Sequence, residues 1–250
     1  LPVLDPGRGK TKPGYLWTLT RDERGFGGTG PPGVVYVYAP GRGGQHGENI
    51  LEGFTGTVLV DGYAGYNRLT KSTRRGGPVR LAHCWAHARR KLKEIYDHDA
   101  SPIAKAGLDR IARLYAIEKE IRGASPERRL AIRQERAAPL VADFFDWLGA
   151  QRARISKRSR LGEKLAYIDR LRPGLMVYLD DGRVGIDNNP VENRIRPIAL
   201  GRKNALFAGH DEGARCWATI ASLIETAKLN DVEPFAWLKT TLEEIGRAHV

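Results

Sequence analysis

The order of secondary-structure patterns along the chain constrains its fold most strongly. Short apolar runs rich in β-branched and aromatic residues lie at Gly14–Thr20, Gly33–Ala39, Gly56–Val60 and Val79–Cys84, and runs of this kind predict strands. From Ala86 onward, the apolar residues recur at helical spacing instead. Strands followed by a block of helices predict an α+β or α/β chain.

Start and stop signals divide the helical part. A serine followed by a proline, the usual N-cap and first-turn pair, predicts helix starts at Ser101 and Ser125. A Pro-Gly pair predicts that a later helix stops at Pro173, and Pro234 is expected to open the last helix.

Composition narrows the class of protein. The chain has 41 Lys and Arg against 29 Asp and Glu, a net charge of +12, which favours an acidic partner, most simply nucleic acid. A solvated basic surface without a specific role is the alternative. The only cysteines, Cys84 and Cys216, make no disulfide framework, so a reducing cytosol is expected. No signal peptide and no apolar run of about 20 residues, the length that spans a bilayer, is visible.

A single acid in a basic surround is the most informative local feature. Asn188 or Asn189 can cap a helix whose first turn holds Pro190 and Glu192. Four cations follow at Arg194, Arg196, Arg202 and Lys203. A carboxylate beside cations suits a metal-dependent enzyme that acts on a polyanion. The alternative is that Glu192 has only a structural role, because the helix dipole stabilises a negative charge in the first turn.

Asp61 is the second candidate carboxylate, because it directly follows the apolar run Gly56–Val60. A carboxylate at the end of a buried strand is held rigidly at the sheet edge, where ligands bind in such sheets. Gly62 is expected to let the backbone turn and to leave room for a substrate. An ordinary Asp-Gly turn is the competing interpretation.

Four collinear segments together resemble transposases of the insertion sequence 66 family. They are VLVDGYAGYNRL at Val58–Leu69, LAHCWAHARRKL at Leu81–Leu92, NNPVENRIRPIALGRKNALFAG at Asn188–Gly209 and SLIETAKLNDVEPFAWL at Ser222–Leu238. The resemblance implies an RNase H-like fold whose catalytic site holds two Asp and one Glu around divalent metal. It therefore implies an α/β chain whose mixed sheet is split by an all-helical insertion and followed by a C-terminal helical element.

The resemblance also assigns roles to residues. It makes Asp61 and Glu192 the second and third catalytic carboxylates, which would hold Mg²⁺ or Mn²⁺ for strand cleavage and strand transfer at insertion-sequence ends. The first carboxylate is expected upstream of Leu1, since Asp5 lies in the turn beyond the strand. The cations predicted to contact DNA are Arg194, Arg196, Arg202, Lys203, Arg89, Arg90 and Lys91. The basic runs Arg152–Arg160 and Arg89–Lys91 are expected to contact the DNA backbone without sequence preference, or else to be solvated faces.

These expectations divide the chain into five segments. The first part of the catalytic core is placed at 1–98, the helical insertion at 99–174, the end of the core at 175–211, the C-terminal helical element at 212–244 and an artefactual tail at 245–250. The expected partners are double-stranded DNA, at transposon ends and target, and further copies of the chain on that DNA. The expected location is the bacterial cytoplasm, at the nucleoid, with no membrane partner.

Several alternatives stay open. His83 and His87, with Cys84 between them, have spacing that suits zinc, but no second cysteine pair is present, and packing is the preferred role of Cys84. Asp180, Asp181 and Asp187 are expected to be turn and cap residues. The rival functions are a DNA-binding remnant without catalysis, an RNase H-like nuclease that cuts without joining, and a basic structural or RNA-binding protein.

Overall fold

The computed structural model describes residues 1–201 and 208–248, and the chain forms two compact units. The terminal unit contains Leu1–Glu23, Thr29–His46 and Pro190–Val250. The central unit contains Arg24–Gly28 and Gly47–Asn189. Arg202 and Lys203, two of the predicted DNA contacts, lie outside the described residues.

The described strands pair as three two-stranded sheets. Their bounds are Pro2–Asp5 (β1), Lys10–Pro13 (β2), Tyr15–Arg21 (β3), Gly33–Ala39 (β4), Thr57–Val60 (β5) and Arg80–His83 (β6). The pairs β1–β2 and β3–β4 are antiparallel. Strands β5 and β6 are parallel, with Val60 opposite His83, so the residues that follow both strands lie at the same sheet edge.

Most of the described residues are helical. Their bounds are Gly44–Ile50 (α1), Trp85–Asp99 (α2), Pro102–Glu120 (α3), Pro126–Ile132 (α4), Ala138–Arg154 (α5), Arg160–Arg170 (α6), Arg172–Met176 (α7), Asn189–Gly201 (α8), Asp211–Leu229 (α9) and Pro234–Ala248 (α10). A single π-helical turn, Arg133–Ala137, joins α4 to α5. No described helix is both long and apolar enough to cross a bilayer.

The core of the central unit forms around Trp85. This side chain is fully buried, packs edge-on against Phe144 with ring centroids 5.2 Å apart, and donates its indole N–H to the Leu175 carbonyl oxygen at 2.9 Å. Glu118 accepts from two buried guanidinium groups, Arg133 at 2.7 Å and Arg129 at 3.2 Å. The pairing matters because a buried charge without a partner would be strongly destabilising.

The terminal unit is built on the packing of β4 against α9. One edge of β4 pairs with β3, and hydroxyl groups of α9 bond to the other edge. Ser222 accepts from the Tyr36 N–H at 2.8 Å, and Thr226 donates to the Val34 carbonyl oxygen at 3.0 Å. These bonds satisfy backbone groups that a strand edge would otherwise expose.

The structure confirms several predictions made from local sequence. The predicted strand Gly33–Ala39 is β4 with the same bounds. Ser101 and Ser125 cap α3 and α4, accepting from the N–H groups of Ala104 and Arg128 at 3.3 Å.

Two predictions about the fold need qualification or correction. The helix predicted to end at Pro173 ends at Arg170, and Pro173 lies in the first turn of the short helix α7. A Cβ on Gly174 in α7 would clash with the His83 ring, so a close tertiary contact sets this local structure. The mixed α/β class is confirmed, although the described strands form small sheets. The RNase H-like topology and the five-segment division stay predictions.

Candidate active site

Asp61 lies at the carboxyl end of β5 in the central unit and is half-buried. One of its carboxylate oxygens accepts from the Tyr63 N–H at 2.9 Å. Asp61 takes part in none of the ion pairs that the described part of the chain forms. A fixed, half-buried carboxylate without a cationic partner has oxygen available for a metal ion.

Gly62 turns the chain directly after this carboxylate. Its φ of +88° lies in the region that favours glycine. A Cβ at this position would lie 3.1 Å from Leu171 Cδ1 and 3.2 Å from the Tyr167 hydroxyl. The prediction that Gly62 turns the backbone is confirmed, but the space beside it is filled by α6 and Leu171. The expectation that Gly62 leaves room for a substrate is therefore wrong.

Two tyrosines that sequence reasoning missed lie near Asp61. Burial and then the negative charge of Asp61 raise the pKa of Tyr66 to about 12. The same two causes raise the pKa of Tyr167. Tyr63 and Tyr66 pack edge to face, with centroids 5.8 Å apart. For Tyr66, the sequence GYAGY held a usable signal: Tyr63 and Tyr66 are three residues apart, and a 3₁₀ turn brings residues at that spacing to one face. No comparable local signal indicated Tyr167.

The residues at the end of β6 and directly after it have packing roles. Cys84 is buried, and burial raises the pKa of its thiol to about 11. A thiol held in its protonated form is a poor zinc ligand. His83 packs against α7, with Nδ1 3.3 Å from the Leu171 carbonyl oxygen. Within residues 1–201 and 208–248, no group of three or more His, Cys, Asp or Glu side chains is placed to hold a metal.

The segment before α8 runs beside the end of β6. The Trp85 N–H donates to the Ile186 carbonyl oxygen at 3.0 Å, and the Asn188 N–H to Cys84 Sγ at 3.4 Å. Asp187 accepts from the Asn189 N–H at 3.1 Å and from the Tyr115 hydroxyl at 2.9 Å. The side chain that accepts at the helix start is therefore Asp187, and the prediction that the Asn188 or Asn189 side chain does so is wrong.

The other two acids near this segment also hold turns and ion pairs. The carboxylate of Asp181 accepts from the Arg183 N–H at 2.8 Å. Asp180 pairs with Arg80. The turn and cap roles expected for Asp180, Asp181 and Asp187 are confirmed.

Glu192 lies in the first turn of α8, within the terminal unit, and is half-buried. Two residues later, the Arg194 carbonyl oxygen accepts from the Tyr36 hydroxyl at 2.7 Å. Burial is the main cause that raises the pKa of Tyr36 to about 12. Arg196, on the same helix, is exposed. Pro197 lies inside α8, where it has no backbone N–H to donate to the helix hydrogen-bond ladder.

The predicted DNA contacts on α2 differ in exposure. Arg89 and Arg90 are exposed. Lys91 is half-buried, 3.5 Å from Glu94 and 5.7 Å from the centre of the Tyr167 ring. Lys91 therefore already has an anionic and an aromatic partner within the central unit.

Asp5 is the last residue of β1 and lies at the hairpin turn of the terminal unit. Its carboxylate is 3.6 Å from Arg8, three residues along the same turn. Asp5 is therefore a turn residue of the hairpin, as the sequence analysis expected.

Family models for known proteins match nearly the whole chain. The model described as "Transposase IS66 family" matches residues 1–216, and the model described as "IS66 C-terminal element" matches residues 222–250. The chain belongs to the IS66 transposase family. No solved structure matches the chain.

The chain is also similar to three proteins of Sinorhizobium fredii (strain NBRC 101917 / NGR234). It is 40% identical to "Uncharacterized protein y4qI" over 99% of this chain and 46% of that protein. It is 38% identical to "Uncharacterized protein y4hP" over 96% of this chain and 46% of that protein. For "Uncharacterized protein y4jD", the identity is 40% over 98% of this chain and 48% of that protein. The chain thus spans about half the length of these relatives.

Proposed function

We propose that this chain is the catalytic portion of a DDE-type DNA transposase, which cuts DNA at insertion-sequence ends and joins the freed ends to target DNA. Membership of the transposase family supports the general class. The observation that carries the chemical proposal is Asp61, a half-buried strand-end carboxylate in none of the described ion pairs.

Asp61 and Glu192 are the proposed metal ligands, for Mg²⁺ or Mn²⁺. Carboxylate oxygens are the donors that these hard cations take. The Asp61 donor fits, because only one of its two oxygens accepts the Tyr63 N–H. When bound, the metal would stabilise charge on the oxygens that attack and leave phosphorus. The chain's own contribution is to hold the two carboxylates and to bind the DNA backbone around them.

The reaction needs no covalent enzyme intermediate. In the cutting step, a water oxygen bonds to phosphorus, the bond from phosphorus to the 3′ oxygen breaks, and that oxygen gains the proton lost by water. In the joining step, the freed 3′-hydroxyl attacks a target phosphorus, and the target strand leaves with a new 3′-hydroxyl. Both steps are in-line displacements at phosphorus of the kind that two-metal carboxylate sites catalyse.

Cations near the carboxylates would hold the DNA phosphates. Charge-assisted hydrogen bonds from guanidinium groups suit this role, because they match the geometry of phosphate oxygens. The proposed contacts are Arg194, Arg196, Arg202, Lys203, Arg89, Arg90 and Lys91. The net charge of +12 supports a polyanionic partner of this kind.

The test is divalent-metal-dependent cutting and joining of a labelled duplex that carries the insertion-sequence ends. Because the chain spans about half the length of its relatives, the assay uses it as it stands and extended by the part of a relative that it does not cover. Asp61→Asn and Glu192→Gln should abolish both steps while DNA binding is kept. Asp180→Asn is the matched control, since Asp180 is an exposed acid paired with Arg80, and it should stay active.

The rival functions predict different products from the same assay. Cutting without joining would favour an RNase H-like nuclease. Binding without either step in the extended protein would favour a DNA-binding remnant. Activity that survives Asp61→Asn or Glu192→Gln would remove that residue from the site.

A further inference from the structure

The turn that joins α5 to α6 concentrates positive charge. Between Arg152 and Arg160, five of nine residues are Arg or Lys and none is acidic. Arg152 pairs with Asp169. The other four cations are exposed, and none of them takes part in an ion pair within the described part of the chain. These four define the α5–α6 corner: Arg154, Lys157, Arg158 and Arg160.

Several other exposed cations of the central unit are paired. Lys93, Lys105 and Arg136 each contact an acid close by. Arg75 lies 2.5 Å from Glu52. Exposed cations without an ion pair in the described part of the chain also occur elsewhere in this unit, for example Lys71, Arg113 and Arg128. The α5–α6 corner differs in gathering four such cations within seven residues that include no acid.

The corner is held by a tight turn. Ser159 Oγ donates to the Ser156 carbonyl oxygen at 2.7 Å and accepts from the Gly162 N–H at 3.0 Å. A Cβ on Gly162 would clash with the Ser156 carbonyl oxygen, so the close approach needs glycine. The backbone that carries Lys157 and Arg158 is thereby fixed.

Helix stability does not account for these cations. Lys157, Arg158 and Arg160 lie at the amino end of α6, where the helix dipole is positive and a cation is unfavourable. Arg154 alone is well placed by this criterion, in the last turn of α5. Cations gathered around a positive helix end favour an anionic ligand that compensates both.

The position of the corner on α6 gives its distance from Asp61. Tyr167 on α6 and Leu171 just after it contact the position of Gly62, next to Asp61. At 1.5 Å per residue, Arg160 lies roughly 10 to 16 Å along the helix axis from these contacts. In duplex DNA, at 3.4 Å per step, that distance is about three to five base pairs.

We propose that the α5–α6 corner is a second phosphate-binding surface, which holds the duplex DNA backbone about three to five base pairs from the phosphate at Asp61. This spacing rests on the proposed function, whereas binding of duplex DNA by the corner does not. The contacts are to phosphates, so they add affinity and position and read no base sequence.

The test compares two variants of equal charge. The corner variant changes Arg154, Lys157, Arg158 and Arg160 to Gln. The control variant changes four paired cations of the central unit to Gln: Arg75, Lys93, Lys105 and Arg136. For both, the affinity for a duplex of unrelated sequence is measured over a range of salt concentrations, together with the thermal midpoint of unfolding.

Each phosphate contact contributes about 0.9 to the slope of log affinity against log salt. The corner variant should lose about 2 to 4 units of slope and bind about tenfold or more weakly, with an unchanged or higher thermal midpoint. The control variant should change the slope by less than about 1 unit. Equal loss in both variants would reduce the effect to bulk charge and overturn the proposal.

Two further results would also overturn it. One is a fall in the thermal midpoint of the corner variant that accounts for its lost binding. The other is binding to anionic phospholipid vesicles with the same dependence on the corner, since the surface would then recognise a lipid phosphate. If the corner variant loses slope as expected and the cutting assay fails, the DNA surface stands and the proposed catalytic function falls.

Discussion

The Tyr36 hydroxyl donates to the Arg194 carbonyl oxygen at 2.7 Å, which ties strand β4 to the helix that carries Glu192. The backbone N–H of Tyr36 also donates to Ser222 on α9. One residue of β4 therefore bonds to two helices of the terminal unit. Because burial raises the pKa of Tyr36 to about 12, the hydroxyl keeps its proton and remains a donor at neutral pH.

Removal of this hydroxyl should loosen α8 without disturbing the strand. Tyr36→Phe leaves a carbonyl oxygen without its donor, and we expect unfolding of the terminal unit to become easier by about 1 kcal/mol. Tyr15→Phe on β3 is the control, since no hydrogen bond of the Tyr15 hydroxyl is found among the described residues. Urea unfolding measures both, and equal losses would show that the bond to Arg194 carries no stability.

The buried acid Glu118 should be far more sensitive than an exposed acid on the same helix. Glu118→Gln leaves the guanidinium groups of Arg129 and Arg133 buried without a charge partner, which should cost about 3 to 5 kcal/mol. Glu120→Gln breaks only the exposed pair with Arg136 and should change little. Similar unfolding free energies for the two variants would contradict the assigned role of Glu118.

Gly62 is predicted to be constrained by packing as well as by backbone angle. Gly77 has a comparable φ of +81°, and a Cβ added there would have no atom within 4 Å, whereas one added to Gly62 would meet Leu171 and Tyr167. Gly77→Ala should cost about 1 kcal/mol, and Gly62→Ala about 1 to 3 kcal/mol more. Equal losses in chemical unfolding would mean that α6 yields freely beside Asp61.

The two thiols should react very differently in the folded protein. Cys84 is buried with its pKa raised to about 11, whereas Cys216 on α9 is exposed. At pH 8, well below that pKa, Cys84 is almost entirely protonated, so iodoacetamide should label Cys216 and spare Cys84. Peptide mass spectrometry reads each site. Labelling of Cys84 as fast as Cys216 would mean that the contact with Asn188 opens readily.

Local sequence predicted the elements whose signals are local. Strand β4 is a run of β-branched and aromatic residues, and Ser101 caps its helix with its own side chain. Strand β2, in contrast, has the polar sequence KTKP and is extended because it pairs with β1. Helix α7 contains a Pro-Gly pair that locally indicates a stop, and its packing against His83 depends on a residue 91 positions away from Gly174.

The candidate site shows the same contrast between features set by local sequence and features set by tertiary contacts. The carboxylate of Asp61 was visible because it ends an apolar run, and its turn needs only the adjacent glycine. The neighbours of that carboxylate were harder to predict from sequence. Tyr167, for example, lies near it but belongs to a helix more than a hundred residues later. The cap at Asp187 depends partly on Tyr115, on another helix, so spacing alone did not reveal it.

The central claim is that Asp61 and Glu192 hold the same divalent metal, and metal-directed backbone cleavage tests it most directly. Fe²⁺ with ascorbate and peroxide produces radicals at a bound ion, and the cut peptides are mapped by mass spectrometry. We predict cuts near both residues, suppressed by excess Mg²⁺ and lost at both places in Asp61→Asn. Cuts near only one of the two residues, or cuts near Glu192 that persist in Asp61→Asn, would contradict the claim.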